Sequence, residues 1–214
     1  MIVLYSDPKC TFSHIVRIVL CEKEMDYKIV DVNINNKKDL SLISQHHHTP
    51  VLIDDIDKNN KKKDLIITDT TIACEYIDER FPHPQLMPIE PSEKARMKMI
   101  LHKLNQEAFV HVRFIEDNFN NIKLKKELDN AKKAIAMVIT ELSGTIQENK
   151  KTDFILSKNF SLIDAMVLPV LWRLSYFEIK EKPTWGPILK YAEKQFSRKS
   201  FSESLTPIER NLKR

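Results

Sequence analysis

Cys10 is the residue best placed to do covalent chemistry. In Lys9-Cys10-Thr11-Phe12-Ser13 its thiol precedes a stretch with helical periodicity and neighbours a lysine. A helix N-terminus and an adjacent cation both favour the thiolate, the form that attacks disulfides and electrophiles. The Cys-x-x-Ser spacing supplies no second thiol one turn on to resolve a disulfide. Cys21 and Cys74 complete the set of 3 cysteines. They form neither a Cys-x-x-Cys pair nor an even disulfide framework, a usage that suits a reducing compartment. His46-His47-His48 has the composition of a metal site but not its geometry. Adjacent residues of an extended chain point to opposite sides, and no Cys or carboxylate cluster stands nearby in sequence, so no metal is expected.

Composition narrows the classes. The chain has 214 residues, enough for one large or two small domains, and only 2 glycines. So few glycines disfavour a turn-rich sandwich or barrel and exclude a Gly-rich phosphate loop of the P-loop or Rossmann kind. The net charge of +4 is too mild to indicate direct sequence-specific nucleic-acid binding. From Pro187 onward seven basic residues face three acidic ones, a surplus equal to that of the whole chain. A solvated helix explains that excess, and an acidic partner surface is the sharper reading. Lys58–Lys63 reads as a solvated hairpin loop. The sequence opens into a β-like run without the basic and apolar regions of a signal peptide, and no stretch reaches the roughly twenty apolar residues that span a bilayer. A cytoplasmic protein is expected.

The elements that must position Cys10 follow from periodicity. Ile2-Val3-Leu4-Tyr5, closed by Ser6-Asp7-Pro8, reads as a buried strand and turn. Apolar residues from Ser13 to Glu24 recur at helical spacing, with Ser13 as N-cap. Tyr27–Val32 reads as a strand, parallel to the first if the helix is a crossover. A short helix over Lys37–Ile43, strands at Val51–Ile53 and Leu65–Ile67, and a helix over Thr68–Arg80 complete the order β-α-β-α-β-β-α. Phe81 to Pro91 holds four prolines and cannot be regular helix or central strand. Beyond it Ser92–Asn118, Leu124–Glu148, Ser161–Glu178 and Thr184–Ser197 have helical periodicity. The order is that of a thioredoxin-like domain (1–82), a linker (83–90) and an all-helical domain (91–214), the architecture of glutathione transferases.

Within that fold several residues acquire expected roles. Pro50, before Val51 and the third strand, falls at the cis-proline loop whose geometry offers the next backbone amide to a peptide-like ligand. Asp69-Thr70 falls where the fold carries an acidic–Ser pair for the γ-glutamyl carboxylate of glutathione, although both residues are equally ordinary N-caps. Cys10 corresponds to the catalytic Cys or Ser of several transferase classes. Together Cys10, Pro50, Val51, Asp69 and Thr70 form a vestigial glutathione site. Ser161 and Asp164 match the S-x-x-D capping box that opens the core helix of these proteins, a structural role. Pro82-His83-Pro84, with Leu86, Met87 and Pro88, reads as a rigid amphipathic patch whose proline-fixed backbone loses little entropy on binding.

The segment Glu75–Pro84 (EYIDERFPHP) followed by Leu86-Met87-Pro88 resembles the stringent starvation protein A family. Ser13-His14 with Val16–Leu20, Leu171–Leu174, and Ser200-Phe201 with Ser204–Thr206 and Glu209-Arg210 agree with it, so the resemblance runs along nearly the whole chain. It implies a homodimeric, stress-responsive transcription regulator that binds RNA polymerase holoenzyme, with the sigma factor region as the expected contact. It also implies no transferase activity and no cofactor, with Pro82, His83 and Pro84 as an exposed functional patch. The chain departs from the family at Cys10, where members often carry an acidic residue, in the insert at Lys58–Lys63, and in lacking an aromatic near Glu90. Cys10 keeps a glutathione-dependent thiol transferase or reductase as the alternative.

Overall fold

The computed structural model describes residues 1–32, 48–55, 64–149 and 153–212. The expected helix at Lys37–Ile43, the pair His46-His47 and the Lys58–Lys63 loop lie outside these residues.

Two apolar runs make the centre of a four-stranded sheet. Ile2–Ser6 (β1) buries alternate residues, and Val51–Asp54 (β3) is buried along most of its length. Tyr27–Asp31 (β2) and Leu65–Ile67 (β4) flank them in the order β2-β1-β3-β4. β1 and β2 pair in parallel, Ile2 opposite Tyr27, while β1–β3 and β3–β4 are antiparallel. A parallel pair needs a crossover, supplied here by helix α1, Thr11–Glu22. Helix α2, Thr70–Arg80, follows β4 and packs beside α1.

Helix α1 starts at Thr11, not at Ser13. Lys9 N–H donates to Asp7 Oδ1 at 2.7 Å and Cys10 N–H to Asp7 O at 3.3 Å. That turn reverses the chain early enough for His14 N–H to reach Cys10 O, so Cys10 takes the N-cap position. Ser13 lies buried inside the first turn.

The chain divides into two compact units. Met1–Pro84 and Lys199–Arg210 form the first, and Gln85–Arg198 makes up the bulk of the second. The periodicity of the sequence alone puts 199–210 with the helical half, but helix α8 (Lys199–Ser204) packs on α1. Buried polar groups explain that docking. Arg17 donates twice from Nη2 to the Glu209 carboxylate (2.7 and 2.6 Å), from Nε to Ser204 O (2.9 Å), and from Nη1 to Ser6 Oγ (2.5 Å). His14 Nε2 and Ser204 Oγ are 3.0 Å apart, and Ser200 Oγ donates to Glu22. Glu209 also accepts from Thr206 N–H at 2.9 Å while Thr206 Oγ1 accepts from Glu209 N–H at 3.1 Å. This reciprocal pair is a Thr-x-x-Glu capping box whose carboxylate doubles as the counter-ion of Arg17.

The second unit is helical. Helix α3 (Pro91–Leu104) runs through a π turn at Asn105–Phe109 into α4, Val110–Asn118. In α5, Lys125–Glu148, the residues Leu128, Ala131, Ile135, Val138, Ile139 and Leu142 make a buried stripe at three- and four-residue spacing. Helix α6, Leu162–Trp172, is buried on nearly every side. It stops six residues short of the expected Glu178, because a closing turn carries Ile179 N–H back to Leu174 O and puts Glu178 at φ 55°. Helix α7 spans Gly186–Phe196. Ser161 and Asp164 form the expected capping box of α6. Asp164 is fully buried and accepts from Ser161 N–H and Oγ, from Ile155 N–H, and from Tyr191 O–H at 2.7 Å. Burial pushes its carboxyl above the usual carboxylate range, and these donors work against that shift.

Two outcomes follow from these buried groups. Glu209→Ala leaves the Arg17 guanidinium buried without its carboxylate and lowers stability by about 3–5 kcal/mol, read from denaturant unfolding. Tyr191→Phe removes a donor from the buried Asp164 carboxyl and costs about 1–3 kcal/mol. Losing that donor raises the folded-state carboxyl pKa further above its unfolded value. The folded variant therefore holds its proton to higher pH, and the deficit shrinks as pH falls.

Candidate functional site

The five expected glutathione-site residues fall at two places in the first unit. Cys10 is buried at the N-cap of α1, makes no side-chain cap, and directs its thiol at Thr49 O, 3.7 Å away. Thr49 and Pro50 are joined by a cis peptide bond, and Val51 opens β3 opposite Tyr5. The helix start, the thiol and the residue before β3 thus meet at one end of the two central strands. Ser13, in the first turn of α1, is wholly buried, and its hydroxyl makes no hydrogen bond.

Asp69 and Thr70 stand at the start of α2. Asp69 is its N-cap, exposed, and accepts from Ile72 N–H at 2.9 Å. The capping role is therefore met within the chain itself. Thr70 is buried as the first helical residue. Further along, Cys74 is fully buried, and burial pushes its thiol far above the ordinary range. Cys21, half-buried beside the Tyr27 hydroxyl at 3.5 Å, is also pushed up, chiefly by burial. Among the described residues no group of His, Cys, Asp and Glu could hold a metal ion, and His48 is exposed.

The proline-rich segment divides into an exposed turn and a buried anchor. Pro82, His83 and Pro84 are exposed, and the His83–Pro84 bond is cis. Leu86 and Met87 are only 2% and 4% exposed. They pack inward, whereas the amphipathic patch expected from sequence places them on the surface. Leu86 O accepts from Leu162 N–H at 3.1 Å, satisfying one of the orphan amides in the first turn of α6. The hydrophobic pair is spent on packing, Pro88 is half-buried, and Pro82, His83 and Pro84 stay exposed.

Sequence reasoning missed the groups that hold this turn. Lys23, at the C-cap of α1, donates to Asp78 Oδ1 and to Pro84 O, both at 2.5 Å. Nothing in the spacing of Lys23 announces such a role. The Thr206-Pro207-Ile208-Glu209 run, by contrast, carries a readable Thr-x-x-Glu capping signature.

Residues 4–85 match the family model of the glutathione S-transferase N-terminal domain. A stringent starvation protein A homolog of Haemophilus ducreyi is 31% identical over 204 residues, 94% of this chain and 88% of the relative. The chain belongs to the stringent starvation protein A family. Glutathione S-transferase omega-2 of Rattus norvegicus is 30% identical over 87% of this chain and 71% of its own length. Among solved structures, a glutathione transferase from Methylococcus capsulatus superposes with a TM-score of 0.82 at 20% identity, covering 96% of this chain and 97% of that one. The fold is therefore that of glutathione transferases, a thioredoxin-like domain with a helical domain. Among the described residues no helix is long and apolar enough to cross a membrane.

The three thiols of this family member should differ in reactivity. In alkylation at neutral pH followed by peptide mass spectrometry, Cys74 labels only on unfolding. Cys10 and Cys21 label at least about tenfold more slowly than in denaturant, because burial limits both access and, for Cys21, thiolate formation.

Proposed function

We propose that this protein is a transcription regulator that works by binding RNA polymerase holoenzyme through the Pro82-His83-Pro84 turn, without catalysis and without a cofactor. The observation that carries the reading is the exposure of that turn on a buried ionic mount, in a chain of the stringent starvation protein A family. Proline-fixed backbone loses little entropy on association, and His83 offers a ring with both polar and apolar edges. The sigma factor region is the proposed contact, and the stress or stationary-phase response the proposed setting, in the cytoplasm.

The regulator acts as a homodimer in this reading. Ile66 on edge strand β4 and Ile72 in the first turn of α2 are 48% and 59% exposed. Exposed apolar side chains on an edge strand and on the helix that follows it gain from being covered by a second copy.

A second reading rests on Cys10 alone. Its place at the N-terminus of α1 suits a thiolate that attacks a glutathione mixed disulfide, forming Cys10–S–S–glutathione and releasing the other thiol. The omega-class relative supports it.

Capture of purified holoenzyme by wild type beside Pro82/His83/Pro84→Ala separates the two. The expected result is capture by wild type and at least about a tenfold loss in the variant, as for removal of a contact hot spot. Equal capture by both discards the turn as the binding surface. No capture by either, with glutathione binding that Cys10→Ala abolishes, moves the assignment to thiol chemistry.

A further inference from the structure

We infer that Lys23 is the positioning residue of the Pro82-His83-Pro84 turn, acting through the Pro84 carbonyl; its meaning for partner binding rests on the reading of that turn given above. The Lys23 side chain is fully buried, and Asp78 beside it is 5% exposed. A lysine at a helix C-terminus ordinarily reaches solvent or the last carbonyls of its own helix. This one turns instead to the neighbouring helix and to the loop beyond it. One proton of the ammonium goes to Asp78 Oδ1, near the end of α2, and another to Pro84 O.

The turn needs an outside donor for a chemical reason. Pro82 and Pro84 have no N–H, so two of its three residues cannot anchor it through backbone amides. A carbonyl held by a buried ammonium is a charge-assisted bond in a low-dielectric setting, stronger than the same bond in water. The carboxylate of Asp78 aims the Lys23 ammonium, so the ion pair serves the loop as well as the packing of α1 on α2. Lys23, Asp78 and Pro84 all belong to the first unit, so the mount is complete within it.

The test replaces both charges together, Lys23→Met with Asp78→Leu, because removing one alone strands the other in the interior. Unfolding curves and the slow amide exchange of β1 and β3 verify that the variant is folded. We expect the amides of His83, Gln85 and Leu86 to exchange at least about tenfold faster than in wild type, and holoenzyme affinity to fall about tenfold. Faster exchange with unchanged affinity supports Lys23 as the anchor and removes the turn from the binding surface. Wild-type exchange at these amides in a folded double variant overturns the inference. A measurement on the wild-type chain does not depend on any variant folding. The Nζ protons of Lys23 should persist in a nitrogen-15 spectrum under conditions where those of exposed lysines vanish. Loss of the Lys23 signal along with the others would equally overturn it.

Discussion

Everything in the first unit is arranged around the Arg17–Glu209 ion pair. A guanidinium and a carboxylate removed from water carry a desolvation cost that their mutual attraction offsets only when the geometry is good and the remaining hydrogen-bonding capacity is used. Here the pair is bidentate, and Arg17 also donates to Ser204 O and Ser6 Oγ, while Glu209 also accepts from Thr206 N–H. These partners come from β1, from α8 and from the turn after it. Satisfying one arginine therefore fixes where three separate stretches of chain must lie. The neighbouring contacts of His14 with Ser204 and of Glu22 with Ser200 repeat the device along the same helix.

Helix α1 consequently has two chemically distinct ends. At its start stand Cys10, Thr49 and the opening of β3; at its finish stand Lys23, Asp78 and the proline turn. Its 12 residues separate the ends by roughly 18 Å. Thiol chemistry and protein recognition would occupy different places on one rigid rod, and a change at one end need not disturb the other. Loss of a transferase activity at the first end would leave the mount at the second intact.

The elements legible in the sequence were those with a short-range cause. Ile2–Tyr5 and Val51–Ile53 are apolar runs that only a sheet interior accommodates, and the stripe from Leu128 to Leu142 has only one way to be buried. The Ser161–Asp164 box and the Asp69 cap are local bonds, and their spacing announces them. The early start of α1 was hidden because Asp7 sets it through an exposed turn that periodicity does not register. The burial of Leu86 and Met87 depends on α6, about seventy-five residues further on, and exposure cannot be read from two apolar residues in a proline-rich run. Lys23 was illegible for the same reason. Its partners lie 55 and 61 residues away, and a lysine after a helix is ordinarily read as solvated.

The grouping of residues 199–210 with the first unit has a consequence for how the protein is made. Glu209 is added to the growing chain 192 residues after Arg17. At translation rates of roughly 5–20 residues per second, the guanidinium waits about 10–40 s for its carboxylate. During that interval the nascent β1–α1 region has its strands and apolar face but not its counter-ion, and the second unit is synthesised in the meantime. The β1–α1 region is thus made before the second unit but gains its counter-ion only after it.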